Sequence, residues 1–173
     1  MFTRRVLAAL LPAAAVFLLA LGPAVRAADN PDPRIVTEMT RYLKAIQFGE
    51  TFLGGVRKTN SAEGQGSRFL DRVLMASPEE IEATVAPAFA GHVTLKEARA
   101  MADFFSSPLG QKAIAEGHRK AGGATSGSQL TGAETSALEK FGATSAGQLA
   151  VTLTTDPAVR QEYFALLQKK YGE

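Results

Sequence analysis

The sequence predicts an all-α domain, a compact bundle of about seven to nine short helices. Three observations predict it. Apolar residues recur at three- and four-residue spacings along most of the chain. Helix-opening signals recur too: a Ser, Thr or Asp followed at once by proline, or by glutamate three residues later. No segment alternates convincingly with period two; the nearest, Val151 to Thr155, reads as a helix end.

The chain opens on a leader. Arg4 and Arg5 precede an uncharged apolar run from Val6 to Leu21, interrupted only by Pro12. Gly22 and Pro23 break it, and Val25-Arg26-Ala27 supplies small residues where a signal peptidase reads them. Residues 1–27 are therefore expected to be a signal peptide cleaved near Ala27, with 28–173 forming a single domain in the periplasm or secreted. The run is short for a membrane span, which needs about 20 residues, so no stable span is expected after cleavage.

Asp32-Pro33 caps the first helix, whose apolar stripe is Ile35, Met39, Tyr42 and Ile46. Gly49 weakens or ends it, and a second short helix is expected before Gly54-Gly55. Thr59 to Ser67 reads as a loop. Phe69, Leu70, Val73 and Leu74 mark the next helix. Ser77-Pro78-Glu79-Glu80 is a capping box with proline at N1, and Ile81, Val85 and Phe89 form the following apolar face, with Pro87 as an expected kink. Thr94 and Glu97 open a helix whose inner face is read as Leu95, Met101, Phe104 and Phe105. Ser107-Pro108 opens another, to about Lys120. Ala121 to Gln129 is a Gly/Ser/Thr-rich linker. Thr131 with Glu134, Thr144, and Asp156-Pro157 start the last three helices. Val159, Tyr163, Leu166, Leu167 and Tyr171 are the expected inner face of the final one.

Within this series the chain matches itself at an offset of 37 residues. Over Val93 to Ala113, seven of 21 positions are identical: Thr94/Thr131, Glu97/Glu134, Ala100/Ala137, Phe104/Phe141, Gly110/Gly147, Gln111/Gln148 and Ala113/Ala150. Residues 93–114 and 130–151 are thus expected to form two related helix–corner–helix hairpins. In each, a Thr-x-x-Glu box opens a helix, a phenylalanine plugs the interior near its end, and a hydroxyl residue caps the next helix. Gly110 and Gly147 then lie in a first helical turn, where glycine costs about 1 kcal/mol relative to alanine. Close approach of a neighbouring backbone is the expected compensation.

Phe104-Phe105-Ser106-Ser107-Pro108-Leu109-Gly110-Gln111-Lys112, preceded by Val93-Thr94 and Glu97, resembles the exported bacterial proteins of domain-of-unknown-function family 2059. The resemblance is clearest over residues 86–114. Val93 and Phe105 depart from it, standing where the family usually has Phe and Tyr. It implies an exported helical domain and carries no activity with it.

Composition narrows the function classes. The formal charge of +2 belongs partly to the leader: removing Arg4, Arg5 and Arg26 from 19 basic residues leaves 16 against 17 acidic, a net of −1. That balance gives no electrostatic reason to expect nucleic acid as a partner. There is no cysteine, hence no disulfide, thiolate metal site or thiol nucleophile, and packing alone must hold the fold.

The two histidines, His92 and His118, have no His or Cys at metal-ligand spacing, so no metal or other cofactor is expected. Ser106, Ser107, Thr131 and Thr144 read as caps, and no Gly-x-Ser-x-Gly elbow is present. Ser107 and His118 share a helix face but lie about 16 Å apart along it. Glu79, Glu80 and Glu82 are the densest acids, read as first-turn residues favoured by the helix dipole. Gln111 and Gln148 stand at the start of both second helices. They either tie each corner to the preceding helix or line an interaction groove beside Phe105.

The expectation is therefore an exported, non-enzymatic binding or accessory protein whose partner is another envelope protein or a small apolar ligand. An envelope-acting hydrolase, using Glu79, Glu80 or Ser107, and a toxin-neutralising immunity protein are the alternatives.

Overall fold

The computed structural model describes residues 31–63, 68–120 and 129–172. Among these residues there are nine helices and no strand. They are α1 (Pro33–Ala45), α2 (Phe48–Glu63), α3 (Arg68–Met75), α4 (Pro78–Ala90), α5 (Leu95–Ser106), α6 (Pro108–Lys120), α7 (Gly132–Gly142), α8 (Ser145–Thr152) and α9 (Pro157–Tyr171). None of the described helices is long and apolar enough to cross a membrane. The leader and most of the 121–129 linker lie outside the described residues.

The helix starts follow their sequence signals. The Asp32 carboxylate accepts from the Arg34 backbone N–H at 2.8 Å, with Pro33 at N1. Ser77, Thr94 and Thr131 each form a reciprocal capping box with the glutamate three residues on. Asp156 caps α9 through the Ala158 N–H at 2.7 Å.

Helices α1 and α4 form the centre. α1 packs on α2, α4 and α5, and α4 also meets α2 and α9. Met39, Tyr42, Leu43, Ile81, Val85, Phe89, Met101, Val159 and Leu167 are fully enclosed. Phe48 anchors α2 by meeting Phe89 and Tyr163 edge to face, at ring-centroid distances of 5.6 and 5.8 Å. α7 and α8 attach at one side, through α6–α7 and α5–α8 contacts. The Tyr42 hydroxyl reaches across to donate to the Ala150 carbonyl at 3.2 Å.

Several expectations are corrected. α2 runs unbroken through Gly54 and Gly55 and through Thr59 to Glu63, where a break and a loop were expected. Phe48, buried Leu53 and partly buried Phe52 give it a packed face, which offsets the glycine cost of about 1 kcal/mol each. The actual break after α1 is Gln47, in the left-handed region at φ 56°. Pro87 lies inside α4, where the sequence placed it. On α5 the enclosed residues are Ala98, Met101, Ala102 and Phe105, while Leu95 and Phe104 are half-buried. On α9 Leu166 and Tyr171 are half-buried but pack against the core, on the expected inner face.

Candidate functional site

The two corners, α5–α6 and α7–α8, are held by one set of contacts used twice. Ser107 Oγ donates to the Phe104 carbonyl at 2.6 Å and accepts from the Gly110 N–H at 3.1 Å. Thr144 Oγ1 does the same between Phe141 and Gly147, at 2.6 and 3.1 Å. A β-carbon on Gly110 would overlap the Phe104 carbonyl, and one on Gly147 would overlap that of Phe141. The hydroxyl folds the chain back so sharply that the first turn of the second helix touches the end of the first. Only glycine fits there, which accounts for a residue that otherwise weakens helices.

The corners also clasp each other. Phe104 and Phe141 stack face to face, their ring centroids 3.7 Å apart and their planes 2° from parallel. Both are half-buried, packed against the core through Phe105 on one side and against each other on another. Ser145, opening α8, donates to Glu97 in the box of α5. Lys112, in the first turns of α6, donates to Glu134 in the box of α7 at 2.7 and 2.9 Å. Each box glutamate therefore accepts from its own cap and from the other corner. The Ser145 hydrogen bond, then those of Thr94, hold the Glu97 carboxyl below the usual range. The Lys112 ammonium, then the Thr131 N–H, bring Glu134 down to about 2.

The candidate groove residues are placed unequally. Phe105 is buried, edge to face with Tyr42 at 5.5 Å and with Phe141 at 5.7 Å. Gln111 Nε2 donates to the Phe105 carbonyl at 2.6 Å and to the Ala45 carbonyl at 2.9 Å, tying the first corner to the end of α1. Gln148 is exposed, and its amide has no hydrogen-bond partner among the described residues. The structure thus joins Phe105 and Gln111 inside the first corner and leaves Gln148 alone on the surface of the second.

The other chemistry-bearing groups are dispersed. His92 Nε2 lies 3.1 Å from Glu162 of α9. His118 is half-buried in the last turn of α6. Glu80 is held in its box by Ser77 and approached by Lys170 at 3.9 Å, and Glu79 is exposed. Among the described residues, no three His, Asp or Glu groups converge as a metal site would require.

Glu82 was misread as a first-turn acid. It belongs to the second turn of α4, is buried, and accepts from the Gly49 N–H of α2 at 3.1 Å. Its spacing from Val85, Ala86 and Phe89 was the signal for the inner face, masked by the neighbouring glutamates. The second buried acid, Glu116, is paired with Arg119 and Lys120 of its own helix at 2.8 and 3.2 Å.

Residues 79–121 match the family model described as an uncharacterized protein conserved in bacteria, domain-of-unknown-function family 2059. The match takes in nearly all of α4 together with α5 and α6, hence the first corner, and extends the 86–114 resemblance in both directions. No curated protein and no solved structure matches the chain.

Proposed function

We propose that this is an exported, non-enzymatic helical protein of the bacterial envelope, binding another envelope protein through the outer face of its second corner. The observation that carries the reading is how the reactive-looking groups are used. Ser107 and Thr144 are fully committed to their corners, Glu80, Glu97 and Glu134 to capping boxes, and His92 to Glu162. A hydroxyl held between a carbonyl and an N–H is not poised beside a base, which nucleophilic catalysis requires. The order of charge, apolar run and small residues in 1–27 supports the export address.

We read the corners as one duplicated unit, on the strength of their shared hydroxyl, glycine and capping-box contacts. The duplication leaves an imbalance. Gln111 grips two carbonyls, and its counterpart Gln148 grips none among the described residues. That free amide, at the head of α8, is the group offered to a partner's backbone.

Expression with the native leader tests the address. The envelope-fraction protein should begin at Ala28, and a polypeptide retaining Met1 would remove the export reading. A photoreactive residue at position 148 should give one discrete protein adduct in intact cells, whereas the same group at Lys140 should give none. Equal, diffuse labelling from both would end the binding reading. Cleavage of an envelope polymer that is lost in Ser107→Ala or Glu80→Gln would replace it with the hydrolase.

A further inference from the structure

The acids of the corners are matched by donors or cations, and buried Glu116 has two cations of its own. Glu82 is different. Its carboxylate is enclosed where α1, α2 and α4 meet, and it has no ion-pair partner among the described residues. Its hydrogen bond goes to the Gly49 N–H, one of the donors that the first turn of α2 leaves unused. The fit there is tight: a β-carbon on Gly49 would overlap the Pro78 backbone at the start of α4. Just before it, Gln47 holds the left-handed conformation that turns α1 into α2. Just before Gly49 too is Phe48, the ring that seats α2 on Phe89 and Tyr163.

We propose that the Glu82 carboxyl is a pH-sensitive latch, closing the first turn of α2 onto α4 when protonated and loosening it when ionised. The reason is solvation. An enclosed carboxylate without a cation is disfavoured relative to its neutral form, and opening the junction rehydrates it. Every element packed on α4 bears on this balance. Lys44 at the end of α1 and the Gly49 N–H favour the charge. Glu50 in the first turn of α2 and Glu79 on α4 oppose it. From α9, Lys170 is directed to Thr84 and Glu80. Burial is the largest influence, and the net effect holds the Glu82 carboxyl above its ordinary value. A raised folded-state value means that the stabilisation is complete below the unfolded glutamate value and is lost as pH rises through the folded one. The junction therefore tightens as pH falls through the folded Glu82 value and loosens as pH rises above it, exposing the edge of the Phe48, Phe89 and Tyr163 cluster. This inference is independent of the proposed address and partner.

Amide exchange of residues 48–53, corrected for intrinsic rates, tests the latch. Protection should rise at least about three-fold between about pH 8 and about pH 4, a range that reaches below the unfolded glutamate value. Glu82→Gln keeps the acceptor and removes the charge, so its protection should be high and flat across that range. Glu79→Gln should keep a pH dependence whose midpoint moves to lower pH, since one charge opposing Glu82 is gone. A carboxyl-carbon titration of the unmutated protein gives a second readout should Glu82→Gln fail to fold: Glu82 should titrate above the other glutamates. Flat wild-type protection, an ordinary Glu82 titration, or a pH dependence surviving in folded Glu82→Gln would each overturn the proposal.

Discussion

The first and second corners share their local chemistry and differ in what surrounds them. In α5–α6 the residue after the stacked ring is Phe105, enclosed against Tyr42 of α1. In α7–α8 the equivalent position is Gly142, half-exposed. The first corner is hooked to the end of α1 by Gln111, and the second has Gln148 in solvent. A hydroxyl, a glycine and a capping box are enough to shape a corner. The surroundings then decide how much stability that corner contributes and whether its polar groups remain available.

The comparison can be broken at several strengths. Phe105→Ala removes a buried ring against α1 and should cost about 3–5 kcal/mol in chemical denaturation. A cost below about 1 kcal/mol would mean the first corner is not embedded as described. Gly110→Ala forces a β-carbon into the Phe104 carbonyl and should cost about 3 kcal/mol; Gly147→Ala, in the more open corner, about 2 kcal/mol. Neutral behaviour in either would show that its turn is looser than the contacts require. Gln111→Ala should cost about 1–2 kcal/mol, since two backbone carbonyls lose a donor, whereas Gln148→Ala should stay within about 0.5 kcal/mol. Equal costs would erase the distinction between a structural and a free amide.

Acid should affect the box glutamates oppositely to Glu82. Glu97 and Glu134 have lowered values, so their stabilisation is present above the ordinary glutamate range and is lost as pH falls through the folded values. For Glu134 that loss extends down to about 2. Melts recorded against pH should show Glu134→Gln losing part of the acid sensitivity of the parent. Glu82→Gln should instead lose the gain expected as pH falls through the folded Glu82 value.

Much of the architecture was legible in the sequence because it is local. Each capping box, the proline-led starts of α1, α4 and α9, and the corner glycines are written within a few residues of where they act. The two glutamines were legible as a pair, but which one is tied down was not, since that depends on Ala45, 66 residues away. The continuity of α2 through Gly54-Gly55 was hidden for a related reason: its stability comes from Phe48 meeting Phe89 and Tyr163, partners far along the chain. The stacking of Phe104 on Phe141 was equally invisible. Periodicity directs each ring inward separately; in the fold both pack against the edge of the core and also stack on one another. Glu82 is hidden in the sequence because two adjacent glutamates of the first turn mask its helical phase with Val85, Ala86 and Phe89.

A double-mutant cycle on Phe104 and Phe141 tests most directly whether the corners clasp each other. Phe104→Leu, Phe141→Leu and the double variant should show a coupling of about 0.5–1.5 kcal/mol in equilibrium unfolding. Costs that add to within about 0.3 kcal/mol would contradict the clasp and leave two corners that merely resemble each other.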